Sequence, residues 1–406
     1  MIYLLTNKTT QMEKVKNINK INLFSKDLLS LSLSTAIQAI ADSMLVMFSV
    51  IFIYQKLDLS LLYIFILFSI DSILSIFGLI FGAKALGKIG IKNSIIIGSI
   101  FFMLNYGTFL IFDFNTTIAI VLYLITMVVA RSFYWIGYHV DISLFTDQSK
   151  RGSQIGRIRN ILSIVGVALP FIASLIIDKI GFNILFILAV LIYIISIFPL
   201  LKMNDTKQQY SFGFIETFKN IFSKRYIRNF FIGFSEGAEM GIKITIWPII
   251  IFILMKNDIN SIGILVSLVL LASLIVNSLV GKLTDIKSKS KIAKLGGILY
   301  GLGWIWKILS LTNLQLFVAS TYQNIVEPIL RIPRDSRFYE GARNKGDLID
   351  EYVVMRIMSN FLGRSFILVL STIFIIFIPY DFKYILILAA IASSLIGFLI
   401  KDIVKK

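Results

Sequence analysis

Apolar stretches of about 20 residues, each long enough to cross the hydrocarbon core of a bilayer as a helix, recur along the whole chain. Read with a window of roughly 19 residues, they fall at 28–54, 59–82, 92–112, 117–145, 156–177, 182–202, 229–254, 259–280, 292–311, 314–332, 351–378 and 383–400. The pattern predicts an all-α polytopic membrane protein with twelve transmembrane helices. Short polar connections separate them, leaving no aqueous domain between spans.

The polar positions inside the spans are arranged in stripes. An ionisable residue at a helix centre costs about 2.5–3.5 kcal/mol on insertion scales, so its placement is informative. Span one carries Thr35, Gln38, Asp42 and Ser49 at spacings that share one helical face. Span four carries Arg131, Tyr134, Trp135, Tyr138 and Asp141, with His139 at the edge. Span seven carries Glu236, Glu239 and Lys243, the last two one turn apart and expected to pair. Span ten carries Ser320, Gln323, Asn324, Glu327, Arg331 and Arg334. The strongest stripes thus recur every third helix, and spans one, four, seven and ten are expected to surround a central cavity. Gly233, Gly237 and Gly241 form a separate small-residue face for close packing, and Pro248 predicts a kink. Asp71, Lys307 and Arg364, on other helices, read as structural pairs or gating contacts.

Charge orients the array. Odd-numbered connections hold almost no Lys or Arg. Even-numbered ones hold many: Lys84, Lys88 and Lys92; Lys150, Arg151, Arg157 and Arg159; Lys219 to Arg228; Lys282 to Lys291; Arg334 to Lys345. Short loops rich in Lys and Arg stay cytoplasmic, which places both termini in the cytoplasm and the protein in the cytoplasmic membrane. Hence the net charge of +17 is a topology signal and not a nucleic-acid footprint. The composition agrees, since 16% of residues are charged against roughly 25% in soluble domains. With no Cys, one His and no acidic cluster at metal-ligand spacing, no metal, cofactor or enzymatic site is expected.

The chain divides into an amino-terminal segment (1–27), a six-helix half (28–202), a linker (203–228), a second half (229–400) and a tail (401–406). Phe214, Phe218, Ile221 and Phe222 give the linker an amphipathic helix suited to a membrane surface. The halves resemble each other weakly: Gly297 answers Gly98 and Gly363 answers Gly166 at nearly constant offset. Such duplication suits transporters with a midplane site between repeats.

On this architecture the chain resembles the major facilitator superfamily of secondary transporters from about Asp27 to Ile400. Its signature between helices two and three, Gly-x-Leu-x-Asp followed by basic residues and a further Gly, is matched by Gly281, Leu283, Asp285, Lys287 and Lys289, although Ser288 replaces the later Gly. The first-half copy keeps Lys88, Gly90 and Lys92 but has Gly87 in place of Asp. The resemblance implies two pseudo-symmetric six-helix halves, a cavity lined by helices one, four, seven and ten, and a gating loop at Gly281, Asp285, Lys88 and Gly90. Asp42 and Arg131 match, by helix and depth, the acid–arginine pair of proton-coupled members. The drug-antiporter motifs are not matched.

The expected function is secondary active transport of a small organic solute by alternating access, coupled to a proton or other cation, by a monomer in the bilayer. Candidate substrate and proton residues are Gln38, Asp42, Arg131, Tyr134, Trp135, Tyr138, Glu236, Glu239, Lys243, Gln323, Asn324, Glu327 and Arg331, with Trp247 helping to shape the pocket. The stripe chemistry leaves open an amino acid, a sugar acid, a peptide or a zwitterionic drug. The alternatives are a transport-incompetent sensor or assembly factor on the same fold, and a polytopic lipid-modifying enzyme.

Overall fold

The computed structural model describes residues 26–206, 210–272, 274–310, 312–378 and 381–402. Most of the expected amino-terminal segment and of the tail lies outside them. Among the described residues the regular structure is helical. The long rods are α1 (Lys26–Lys56), α2 (Leu61–Ile89), α3 (Ile91–Ile111), α4 (Thr116–Phe145), α5 (Arg151–Lys179) and α6 (Phe182–Leu201). After a linker helix at Phe214–Ile221 come α7 (Ile227–Leu254), α8 (Ile259–Ile286), α9 (Lys289–Ile308), α10 (Asn313–Arg343), α11 (Gly346–Phe377) and α12 (Lys383–Leu399). Nine of these are long and apolar enough to cross a membrane. The other three are α9, which opens on Lys289, Lys291 and Lys294, the charged α10, and the short α12.

The ends follow from local sequence. Asn115 caps α4 by accepting from the Ile118 amide at 2.9 Å, and Thr312 with Gln315 forms a capping box on α10. Gly90 turns α2 into α3 at φ +89°, a conformation that favours glycine. Several helices run past the apolar spans at the end bearing the basic residues. Lys84 and Lys88 lie on α2, Arg151 to Arg159 on α5, and Arg334, Arg337 and Arg343 on α10. The tenth connection is therefore far shorter than the charge pattern suggested. A hydropathy window ends where charges begin, but a helix needs only satisfied backbone groups and continues into the polar layer.

The packing repeats. α1 with α6, α3 with α6, α3 with α4 and α2 with α4 correspond to α7 with α12, α9 with α12, α9 with α10 and α8 with α10. The halves meet along α2 against α11 and α5 against α8. Phe81, Ile164, Phe198 and Ile376 remain exposed on the outside, an apolar surface suited to lipid. Within the second half α7 touches α11 almost backbone to backbone: a Cβ on Gly237 would stand 1.7 Å from the Asn360 carbonyl. The small-residue face of α7 thus packs as its spacing predicts. Pro248 leaves the carbonyl four residues back without its amide, and the helix accommodates this as a π-turn over Ile242–Ile246.

Candidate functional site

Three layers of charge climb the inner face of α7 and α10. Nearest the basic end, Glu236 receives Arg334 at 2.8 Å and Arg356 of α11 at 2.7 Å. Asp335 receives Arg334 at 2.6 Å and, from the other half, Arg159 of α5 at 2.8 Å. In the middle layer Glu239, 1% exposed, takes Arg331 at 2.8 Å and the Tyr300 hydroxyl at 2.8 Å. Glu327 pairs with Arg331 and with Lys243 at 2.6 Å. Towards the far end Lys307 of α9 lies over the rings of Trp247 and Trp304, 3.9 and 4.4 Å from their centres.

These contacts revise the expected pairing. Glu239 and Lys243 do not bond to each other; α7 and α10 stand close enough for both to prefer partners across the gap. Lys243 belongs to the π-turn, which re-aims its side chain. Lys307 forms no ion pair among the described residues. The structure thus brings together Glu236, Glu239, Lys243, Glu327 and Arg331. Gln323 packs on Gly303 of α9, and Asn324 is half-buried next to it. Trp247 walls Lys307.

The first half is built differently. Asp42 accepts from the hydroxyls of Tyr106 (2.8 Å) and Tyr193 (2.7 Å), and Gln38 donates to Ser99 (2.9 Å) and Ser196 (3.3 Å). Arg131 turns away from Asp42 to Asp71 of α2 at 2.5 Å, with its guanidinium 5.4 Å from the Phe361 ring centre. The expected Asp42–Arg131 pair is therefore not formed, because α2 supplies a fully buried carboxylate closer to the arginine. The α4 stripe also divides. Tyr134 is buried against Phe102 and stacks on Tyr138. Trp135, 37% exposed, stacks with His139, whose Nδ1 lies 2.9 Å from the Tyr339 hydroxyl of the opposite half.

At the basic end Asp285 reaches the start of α5. It accepts from the amides of Gly152 (2.7 Å) and Ser153 (2.9 Å) and from the Ser153 hydroxyl (2.5 Å). A carboxylate satisfying the free amides of a helix N-terminus is favourable in both hydrogen bonding and dipole. Gly281 supports this approach, since a Cβ there would stand 2.9 Å from the Gly152 carbonyl. The first-half counterpart differs. Lys88 is exposed, and Gly90 abuts the carboxylate of Asp205 from the linker, which accepts from the Lys92 amide at 3.2 Å. On α11 the acidic groups are its own: buried Glu351 accepts from the Ser211 amide and hydroxyl, both at 2.7 Å.

The sequence reading missed Tyr106, Tyr193 and Tyr300, Asp335 and Arg356. The tyrosines carried a readable signal, because a hydroxyl inside an apolar span needs an acceptor. A surface concavity at the far end, against Lys56, Asp113 and Asn183, shares no residue with these networks.

Comparison with known proteins agrees with this fold. No curated protein matches the chain. Among solved structures it is similar to the E. coli fucose:proton symporter, with TM-score 0.62, 13% identity, and coverage of 91% of this chain and 96% of that one. It is also similar to the human organic anion transporter MFSD10, with TM-score 0.67, 9% identity, and coverage of 92% and 98%. At such identities the likeness establishes the fold. The family model described as Major Facilitator Superfamily matches residues 31–238, slightly more than half of the sequence. The chain is a multi-pass membrane protein that belongs to the major facilitator superfamily of transporters.

Proposed function

We propose that the protein is a secondary active transporter that moves a small organic solute by alternating access, coupled to protons. It would sit in the cytoplasmic membrane with its basic end and both termini inside. The observation that carries the proposal is the middle charge layer, where Lys243 of α7, Tyr300 of α9 and Arg331 of α10 share the two carboxylates Glu239 and Glu327 inside the bundle. Side chains of Lys243 and Glu327 are partly accessible there, at 33% and 15%. A solute group that draws Lys243 or Arg331 from its carboxylate leaves a buried charge unpaired, and a proton neutralises it at least cost. This couples solute occupancy to protonation. Asp42, bound only by neutral hydroxyl donors, serves as the proton site of the first half.

Asp285 on α5, Arg159 on Asp335, and His139 on Tyr339 close the basic end in this reading, and Tyr54 against Phe252 closes the far end. Rocking of the halves would break one set while keeping the other. The test uses purified protein in liposomes. Asp42→Asn is expected to abolish solute accumulation driven by a pH gradient while leaving solute exchange measurable. Unchanged proton dependence would remove Asp42 from the mechanism, and absence of any flux over a broad solute panel would end the transport reading.

A further inference from the structure

Among the described residues of the three layers, Lys307 alone of the cations stands without a carboxylate. The cations outnumber the anions in the basic-end layer too, but Arg159, Arg334 and Arg356 each touch Glu236 or Asp335. In the two upper layers Lys243, Lys307 and Arg331 face Glu239 and Glu327, and both carboxylates are taken by the other two cations. Lys307 is 7% exposed. Its surroundings are two indole faces set at 90° to each other, with centroids 5.8 Å apart. The charged groups that face it are Lys243, Glu239 and Glu327. Indole faces attract an ammonium but do not neutralise it.

The uncommitted polar atoms nearby are donors or hydroxyls. Trp304 Nε1, Gln323 Nε2, Ser320 Oγ and Thr245 Oγ1 are buried with no hydrogen-bond partner among the described residues. Gln323 packs on Gly303, the residue before Trp304, and Ser320 lies one turn earlier on the same face of α10. Thr245 belongs to the π-turn that also carries Lys243 and leads into Trp247. An unpaired buried ammonium, with an indole N–H and a carboxamide N–H on adjoining helix turns, is the donor chemistry that an anion requires. The excess of one positive charge fits a single negative charge, and the tryptophan walls fit an apolar body.

We infer that Lys307, Trp304 and Gln323 form an anion subsite that binds the carboxylate of a small monocarboxylate with an apolar body. This deepens the transport reading by assigning the solute's class, and it rests on that reading for its role. Binding brings the solute's charge beside Lys243 and the Glu327 pair, where it competes for the same cation.

The experiment measures binding of benzoate to the full chain in nanodiscs, by tryptophan fluorescence and thermal shift, with neutral benzamide and divalent succinate as comparisons. Benzoate is expected to stabilise the protein and change its fluorescence, succinate to bind more weakly, and benzamide to do neither. Lys307→Met is expected to weaken benzoate binding by about tenfold or more, as loss of a charge-assisted hydrogen bond does. Lys307→Arg keeps the charge and should retain binding within a few-fold. Equal binding of benzamide, undiminished binding by Lys307→Met, or no response to benzoate would each overturn the subsite. If Lys307→Met does not fold, the benzoate–benzamide difference in the wild type decides alone. Benzoate counterflow in liposomes is read separately. Lys307-dependent binding without flux keeps the subsite and removes the transport reading, whereas flux of other solutes with no benzoate binding does the reverse.

Discussion

In the first half Asp42 is held by two tyrosine hydroxyls and Gln38 by two serines, all neutral partners. In the second half, on the α7–α10 face, Glu239 and Glu327 are held by Arg331 and Lys243. Repeated architecture has therefore been filled with two chemistries. A hydrogen bond from a neutral hydroxyl costs less to lose or remake than an ion pair in a low-dielectric interior, which is costly to break on one side only. In the proposed cycle Asp42 can change protonation without breaking an ion pair, unlike the buried Asp71 beside Arg131. The second half couples any loss of charge to a rearrangement of several helices.

The strongest test of this contrast is Arg331→Met. It strips Glu239 of its cation and leaves a buried charge, a loss on the order of 3–5 kcal/mol. Thermal unfolding in detergent checks it, and adding Glu239→Gln should restore part of the stability. A smaller expected effect compares the paired glycines. A Cβ on Gly363 would stand 1.9 Å from the Phe234 carbonyl, whereas one on Gly166 meets only the Ser43 hydroxyl at 2.8 Å. Gly363→Ala should therefore cost about 1–3 kcal/mol by overpacking and Gly166→Ala clearly less; similar losses would contradict the tighter second half.

Tyr193→Phe removes one of two donors to Asp42, and a loss of about 1 kcal/mol is expected in the same assay. A loss as large as that of Arg331→Met would show that the first half is not the more forgiving one. The smallest effect concerns the exposed loop residue Asp113. Its hydrogen bond from Lys56 holds the carboxyl below its ordinary value. The stability this adds is present above the unfolded carboxyl value and is lost as pH falls through the lowered one. Lys56→Met should thus leave the unfolding midpoint at pH 7 almost unchanged, since exposed pairs contribute little. The small remaining difference from wild type should shrink from about pH 4, the ordinary carboxylate range, and vanish below the lowered value.

The twelve rods were legible because apolar length and loop charge act locally along the sequence. The second-half site was legible in part: a stripe shows which face is polar, and α7 and α10 turned their stripes towards each other. Which residues pair was not. Glu239 and Lys243 are correctly spaced for an intrahelical bond, but spacing contains no information about a neighbouring helix that offers Arg331 and Glu327. Arg131 shows the same gap: Asp71 read as a structural pair or gating contact, but its spacing could not name Arg131 as the partner. Lys307 was visible as a residue, yet its indole enclosure depends on a π-turn that sequence periodicity does not encode.

Asp285 sits on one half and completes a helix on the other. Prising α5 from α8 at that end would strip the leading amides of α5 of this acceptor, and in the proposed cycle water or headgroup oxygens would have to replace it. Across the molecule, Glu351 is tied to the chain that joins the two bodies, through Ser211. The two seams therefore differ like the bolt and the strap of one door: in the proposed cycle the first, which ties half to half, is the one to be undone, and the second ties α11 only to the linker.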